Sequence, residues 1–107
     1  RVIIGLYARE PHTNSRGMVH GGLIAALADN AMGLSCVAVL TAQERKPEGG
    51  LVTVSMATDF IGAAKLGQWV AFDTSYVRTG RTLCFAQAFI TADGEVIGRA
   101  DARFKVT

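Results

Sequence analysis

The sequence has few of the residues that build nucleic-acid, metal or disulfide sites. Its longest cationic run is Arg45-Lys46 and its aromatic content is 7%, which argues against a nucleic-acid platform. Two cysteines, Cys36 and Cys84, lie far apart without a CxxC motif or a histidine-rich neighbourhood. We interpret them as reduced, buried thiols rather than as a disulfide or a nucleophile, and they indicate a cytoplasmic protein.

Patterns for a resident metal or nucleotide cofactor are also missing. The histidines His12 and His20 stand eight residues apart, outside any HExxH motif, and the glycines lack both the P-loop lysine and the dinucleotide-binding pattern. We find no signal peptide. The chain begins at Arg1 rather than at Met, so we expect that a short segment precedes it in the natural protein.

Apolar residues are abundant. Of the 107 residues 50% are hydrophobic and 19% are charged, with a net charge of +2 and a mean hydropathy of +0.27, which excludes a disordered segment. The length predicts a single domain over residues 1–107. A lone chain of this size buries only about two thirds of its extended-chain surface, so the apolar excess favours a partner subunit.

The order of hydrophobic patterns predicts an α+β fold, with one helix packed on one antiparallel sheet. A loop of about 12 residues follows the first strand, and an Asp-Gly hairpin at Asp93-Gly94 joins the last two. The predicted strands are residues 1–7, 51–61, 68–79, 82–92 and 95–106, and the predicted helix is residues 23–42.

The predicted helix is apolar on every side, which is typical of a core helix or a membrane span. Asp29 and Asn30 near its middle argue against a span, because a charge within lipid costs several kcal/mol. We therefore expect a core helix wrapped by the sheet, with Asp29 buried. A carboxylate there is costly unless it is functional or bonds a partner, such as a backbone amide or an arginine, that fixes the fold.

His20, Gly21 and Gly22 directly precede this helix. Glycines at a helix start leave the first amides open to an anion or a developing oxyanion, although a glycine turn with a packing or capping histidine has the same pattern. Gly21 and Asp29 are roughly 12 Å apart along a helix that rises about 1.5 Å per residue. If both groups are catalytic, one chain cannot supply both to the same active site. The enzyme is then at least a dimer in which the helices of the two chains run antiparallel.

Three further cations, Lys65, Arg78 and Arg81, stand at predicted turns between strands. They are either solvated surface charges or phosphate contacts at the mouth of a site.

The segment from Asn14 to Gly33, NSRGMVHGGLIAALADNAMG, resembles the signature of hot-dog-fold acyl-CoA thioesterases, and is most similar to the phenylacetate-degradation (PaaI-like) branch. The similarity continues through 51–56, 64–67 and 77–83 and covers nearly the whole chain. Relatives often have a Ser-Pro-Ala-like turn at the CoA rim where this chain has Gly62-Ala63-Ala64. The resemblance implies a five- or six-stranded antiparallel sheet around a central helix, and subunits that pair and commonly form homotetramers.

The resemblance also implies hydrolysis of acyl-CoA to free acid and CoA, without metal or redox cofactor. Asp29 is then the nucleophile or general base, and the Gly21 amide of the opposite subunit polarises the thioester carbonyl. Asn14 positions thioester or water, His20 supports that loop, and Thr53 orients the water. The residues that fall in the usual CoA-binding region are Arg78, Gly80, Arg81 and Thr82.

Two other functions remain as alternatives. Some hot-dog proteins bind acyl-CoA without cleaving it, as regulators or carriers, but this chain has no visible DNA-binding segment and retains Asp29. A hot-dog hydratase or dehydratase is the third interpretation, and the Asp/His pattern of that type is not seen. Candidates for the acyl pocket are Met18, Leu34, Met56 and Phe60, and the acyl group itself is not predicted.

Overall fold

The computed structural model describes residues 2–107, in which the five strands form one antiparallel sheet in the order β1-β3-β4-β5-β2. The α+β class is confirmed, and both ends of each predicted element lie within two residues of the observed ends. Arg1 lies outside the described residues. The elements are β1 Ile3–Tyr7, a 3-10 turn Glu10–His12, α1 Gly21–Ala42, β2 Leu51–Phe60, β3 Trp69–Thr79, β4 Leu83–Ala92 and β5 Glu95–Val106.

The three central strands form because buried and more exposed residues alternate along them, as a half-buried strand requires. Phe72 on β3, Ile90 on β4 and Phe104 on β5 all face the helix and are at most 3% exposed. The predicted hairpin between β4 and β5 has positive φ at both central residues, 48° at Asp93 and 88° at Gly94. That geometry is a type I′ turn, which matches the twist of the flanking strands.

Helix α1 lies across this sheet and contacts all five strands. Its sheet-facing residues recur about every four positions, so one stripe of the helix is buried: Ile24, Ala28, Ala31, Met32, Ser35, Cys36 and Leu40. By length and composition α1 could also cross a membrane, but its packing on the sheet fits the predicted core helix. In the single chain the five strands cover one side of α1 and leave Leu34 on another side 46% exposed.

The loop before α1 is held in place by the turn between β2 and β3. The Val19 amide donates to the Ala64 carbonyl at 2.8 Å, and the Leu66 amide donates to the Gly17 carbonyl at 2.9 Å. Gly17 has φ 72°, a conformation that glycine adopts without strain. These bonds fix the path of the chain into the start of α1.

Strand β2 forms one edge of the sheet and contains a β-bulge between Thr53 and Ser55. The extra residue, Val54, shifts the alternation of side chains by one position. As a result Thr53, before the bulge, bonds to α1, and Met56, after it, also packs against the core. The bulge thereby directs the Thr53 hydroxyl toward the helix and keeps the contact of Met56 with the core.

Candidate active site

Asp29 and Thr53 meet at the junction of α1 and β2. The Thr53 hydroxyl donates a hydrogen bond of 2.8 Å to Asp29 Oδ1. Asp29 is half-buried rather than buried, and its partner is a hydroxyl rather than a backbone amide or an arginine. Among residues 2–107 its Oδ2 has no hydrogen-bond partner, so one carboxylate oxygen is held in place while the other is available to a water or a substrate.

Both side chains open onto a cavity of about 220 Å³ between α1 and the end of the sheet. Apart from Asn30 and the two polar residues just described, its wall is apolar or glycine. The cavity is lined by Asp29, Asn30, Gly33, Leu34, Val37, Leu51, Thr53 and Phe104. Of the four pocket candidates from the sequence, Leu34 lines this cavity in the single chain, and Met18, Met56 and Phe60 do not.

The start of α1 presents open backbone donors. The helix begins at Gly21 after His20, whose exposed side chain makes no capping bond, and within residues 2–107 the Gly21 and Gly22 amides have no acceptor. A Cβ added at Gly22 would meet nothing within 4 Å. The first amides of a helix carry partial positive charge, so this end suits a negatively charged oxygen.

The structure does not bring these donors to Asp29. Helix α1 is continuous from Gly21 through Asp29, so the two are separated by about 12 Å along its axis. The nearest side chain to Gly21 is Phe60, whose Cζ would lie 3.4 Å from an added Cβ. One chain therefore holds a carboxylate and a set of free amides in two separate places.

Asn14 is part of the loop that leads to the helix. Its Oδ1 accepts hydrogen bonds from the backbone amides of Arg16 at 2.9 Å and Met18 at 3.2 Å. This side chain closes its own turn, as asparagine often does. The loop also ties His20 to the preceding 3-10 turn, because the His20 amide donates to the His12 carbonyl at 3.0 Å.

The predicted CoA-binding residues surround the turn between β3 and β4. Arg78 and Gly80 line a second cavity of about 220 Å³, whereas Arg81 and Thr82 are exposed and do not line it. Arg45 holds this turn by donating to the carbonyls of Gly80 at 2.9 Å and Arg81 at 3.2 Å. The remaining residues of the second cavity are Leu83, Cys84, Phe85 and Arg103.

This turn lies at the opposite end of α1 from the free amides. Gln43, which directly follows the helix as its C-cap, donates from Nε2 to Thr79 Oγ1 at 2.8 Å. Asp29 is about 20 Å from that helix end at about 1.5 Å per residue. Within one chain, then, the predicted CoA contacts and the carboxylate are far apart.

Sequence reasoning missed several residues of both cavities. Phe104 reaches the first cavity because it is paired with Thr53 in the β2–β5 register. Arg103 stands over the Phe85 ring at 5.3 Å in the second cavity because it is paired with Phe85 in the β4–β5 register. The Asp93-Gly94 hairpin alone predicts neither pairing, because the register of β4 against β5 shifts between Ile90 and Thr91 and the other pair joins β2 to β5.

The two cysteines are free and buried, on α1 and β4. Burial raises the pKa of Cys36 to about 12, with smaller contributions from the neighbouring Cys84. Burial also raises the pKa of Cys84. At neutral pH both thiols are protonated, which makes them poor nucleophiles.

A long helix laid over five antiparallel strands is the architecture of the hot-dog fold. The sequence model of the thioesterase superfamily matches residues 16–98. The chain is 34% identical over 101 residues to acyl-coenzyme A thioesterase 13 of Homo sapiens, an alignment that covers 92% of this chain and 68% of that protein. The chain belongs to the thioesterase superfamily.

Solved structures agree with this assignment. The fold matches the BH2602 protein of Bacillus halodurans, solved with CoA, at a TM-score of 0.82 and 26% identity, covering 100% of this chain and 68% of that one. It also matches a mutant of the phenylacetic acid degradation protein PaaI of Thermus thermophilus at a TM-score of 0.80 and 21% identity, covering 98% and 84%. The predicted hot-dog fold and its likeness to PaaI are thus confirmed.

Proposed function

We propose that this protein hydrolyses acyl-CoA thioesters to a free acid and CoA. The observation that supports this most directly is the Asp29–Thr53 hydrogen bond at the wall of a cavity, in a chain of the thioesterase superfamily. Leu34, Val37 and Leu51 give that cavity an apolar side that suits an acyl group, and a carboxylate with one free oxygen suits attack on its carbonyl.

Two routes are open to Asp29. As a general base it takes a proton from water while the water oxygen attacks the thioester carbonyl; as a nucleophile it attacks that carbon itself and water then cleaves the anhydride. In both, the carbonyl oxygen becomes negative, the carbon–sulfur bond breaks, and the departing CoA thiolate takes up a proton. Thr53 donates to the carboxylate and so keeps it oriented. This chemistry requires no metal or redox cofactor.

The oxyanion donor comes, in this proposal, from a second copy of the chain. Gly21 cannot reach a carbonyl at Asp29 of its own helix, but an antiparallel helix related by a two-fold axis brings its own start beside Asp29. The exposed edge strand β2 supports such a pairing, because Val52 and Val54 are at least 50% exposed beside unpaired backbone groups. Asn14 and His20 then shape the loop that delivers Gly21.

We propose that the CoA moiety binds at the turn between β3 and β4 of another chain in the assembly. Arg78 and Arg103 line one cavity there, and guanidinium groups bind phosphates in a bidentate manner. The exposed Arg81 and Thr82 and the backbone of Gly80 complete the proposed contacts. By its family resemblance we propose that dimers assemble into homotetramers, and that the enzyme works in the cytoplasm, where its free thiols stay reduced.

The test compares the wild-type protein with Asp29→Asn, in which the amide oxygen can still accept the Thr53 hydrogen bond. Thiol release from a panel of acyl-CoA substrates should fall about 10²- to 10⁴-fold, the usual contribution of a positioned base. CoA affinity, measured by calorimetry, should stay within a few-fold of wild type. Full turnover in Asp29→Asn would contradict the assignment of Asp29, and tight binding without hydrolysis by wild type across the panel would favour the regulator or carrier.

A further inference from the structure

One guanidinium ties the turn between β3 and β4 to the end of α1. Nη2 of the half-buried Arg45 donates to the carbonyl of Gly80 at 2.9 Å and to that of Arg81 at 3.2 Å. A two-residue hairpin loop normally closes with two bonds, one in each direction between the residues that flank it. Here the Gly80 amide donates to the Leu83 carbonyl at 2.7 Å, and within residues 2–107 the Leu83 amide does not return the bond. Arg45 takes its place as the donor to Gly80.

The way α1 ends directs Arg45 to this turn. The Glu44 amide donates to the Thr41 carbonyl at 3.0 Å. The Arg45 amide donates to the Leu40 carbonyl at 2.9 Å. These two bonds form a Schellman motif, in which the residue after the C-cap takes the left-handed conformation. That residue is Glu44, with φ 59°. The backbone of Arg45 is thereby held by the last turn of the helix, so its side chain leaves the helix end in a defined direction.

The two bonds from Arg45 also set the direction of two peptide groups in the turn. Both peptide bonds are trans, so the N–H of each group points opposite to its carbonyl. The amides of Arg81 and Thr82 therefore point away from Arg45. Among residues 2–107 neither amide has an acceptor. Successive backbone N–H groups on one side of a turn form a small anion-binding surface.

We propose that Arg45 is a positioning residue for CoA, which acts by turning the Arg81 and Thr82 amides toward a CoA phosphate. The proposal rests on the function proposed above, which puts CoA at this turn. Arg45 itself does not contact CoA in this arrangement, because its Nη2 is bonded to the two carbonyls and its Nη1 donates to Gln43 Oε1 at 3.4 Å. Direct charge contacts to phosphate are left to Arg78 and the exposed Arg81.

The experiment measures the dissociation constant of CoA by calorimetry, together with KM and kcat for an acyl-CoA that the wild-type protein hydrolyses. Arg45→Ala releases the turn, so a smaller fraction of the protein is competent to bind. The dissociation constant and KM should both rise about 10-fold. The value of kcat should stay within about two-fold of wild type, because binding is lost equally from the ground state and the transition state.

Two further variants frame this result. Lys46→Ala is the matched control, because it removes the neighbouring exposed cation, whose side chain makes no hydrogen bond or ion pair in the described part of the chain, 2–107. It should leave the affinity for CoA unchanged. Thr79→Val removes the other bond between the helix end and this turn, the one from Gln43, and should raise the dissociation constant by less than Arg45→Ala does. Thr79→Val also carries the test if Arg45→Ala fails to fold.

The salt dependence of CoA binding separates positioning from direct contact with phosphate. Raising the ionic strength from about 0.05 M to about 0.5 M screens exposed charge pairs. The dissociation constant should then rise by the same factor in wild type and in Arg45→Ala. It should rise by a smaller factor in Arg78→Ala, which lacks a proposed phosphate contact. A smaller rise in Arg45→Ala as well would make Arg45 a phosphate contact and overturn its positioning role.

The remaining outcomes distinguish this inference from the function on which it rests. Unchanged affinity for CoA in Arg45→Ala and Thr79→Val would overturn the inference even if acyl-CoA hydrolysis is confirmed. An equal loss of affinity in Lys46→Ala would also overturn it, since net charge would then account for the effect. A wild-type protein that binds CoA but hydrolyses no acyl-CoA contradicts the proposed function, and the affinities still test Arg45. A wild-type protein that does not bind CoA contradicts both.

Discussion

The two sides of α1 are made from the same kinds of residue but differ completely in packing. On the sheet side Met32 and Cys36 are fully buried. On the other side Leu34 and Val37, one or two positions further along, are 46% and 39% exposed and line the cavity beside Asp29. The helix therefore has a closed face, which completes the core, and an open face, equally apolar, which stays exposed in the single chain.

This difference explains why a charged residue can occur in so apolar a helix. Asp29 lies at the border of the two faces, half-buried, where Thr53 bonds one oxygen and the cavity receives the other. A position on the sheet side would have left the carboxylate among carbon atoms at a cost of several kcal/mol. The open face leaves room for the proposed chemistry, and the packing of the closed face on the sheet holds Asp29 in position.

The largest effect is expected where, in our proposal, a second copy of the chain completes the site. Gly21→Pro removes the proposed oxyanion donor and should lower kcat about 10²- to 10³-fold. Proline is well tolerated at the first position of a helix, and His20 before it already has φ −57° and ψ 131°, which suits a residue preceding proline. Gly21→Ala is the matched control, since it adds a Cβ but keeps the N–H, and it should lose much less activity.

The same variant tests the sharing of the site. Hybrid dimers of one Gly21→Pro chain and one Asp29→Asn chain, isolated with two affinity tags, contain one intact site and one doubly defective site. They should recover about half of the wild-type activity per dimer, whereas each parent homodimer is nearly inactive. Hybrids no more active than the parents would show that the two groups do not act together across an interface.

The closed face was largely predictable from the sequence, and the open face was not. Period-two strands, the Asp-Gly hairpin and the apolar helix are local patterns, and each leads to one element. The contact between Asp29 and Thr53 depends on the bulge at Val54, and no residue type in β2 predicts a bulge there. The part played by Phe104 depends on the pairing of β2 with β5, strands separated by much of the chain.

An intermediate effect is expected when neighbouring positions on the two faces are truncated. Met32→Ala leaves a cavity in the core and should lower the free energy of unfolding by about 3 kcal/mol. Leu34→Ala, on the exposed side, should cost less than about 1 kcal/mol and instead raise KM for long acyl-CoA substrates. Denaturant titration and steady-state kinetics on both variants check this, and equal losses of stability would mean that the two faces are packed alike.

The last effect appears only at high pH and concerns how far water is excluded from the closed face of α1. Cys36 has a pKa of about 12 in the folded chain against 9.0 as its ordinary value, chiefly because it is buried. Its neutral thiol favours folding fully below pH 9, and that contribution is lost as the pH rises toward 12, because the unfolded chain releases the proton first. The free energy of unfolding should fall by about 1 kcal/mol per pH unit more steeply in wild type than in Cys36→Ala. Cys84→Ala should keep most of this slope, since it removes only the smaller causes of the shift, and parallel curves for wild type and Cys36→Ala would show that water reaches the thiol.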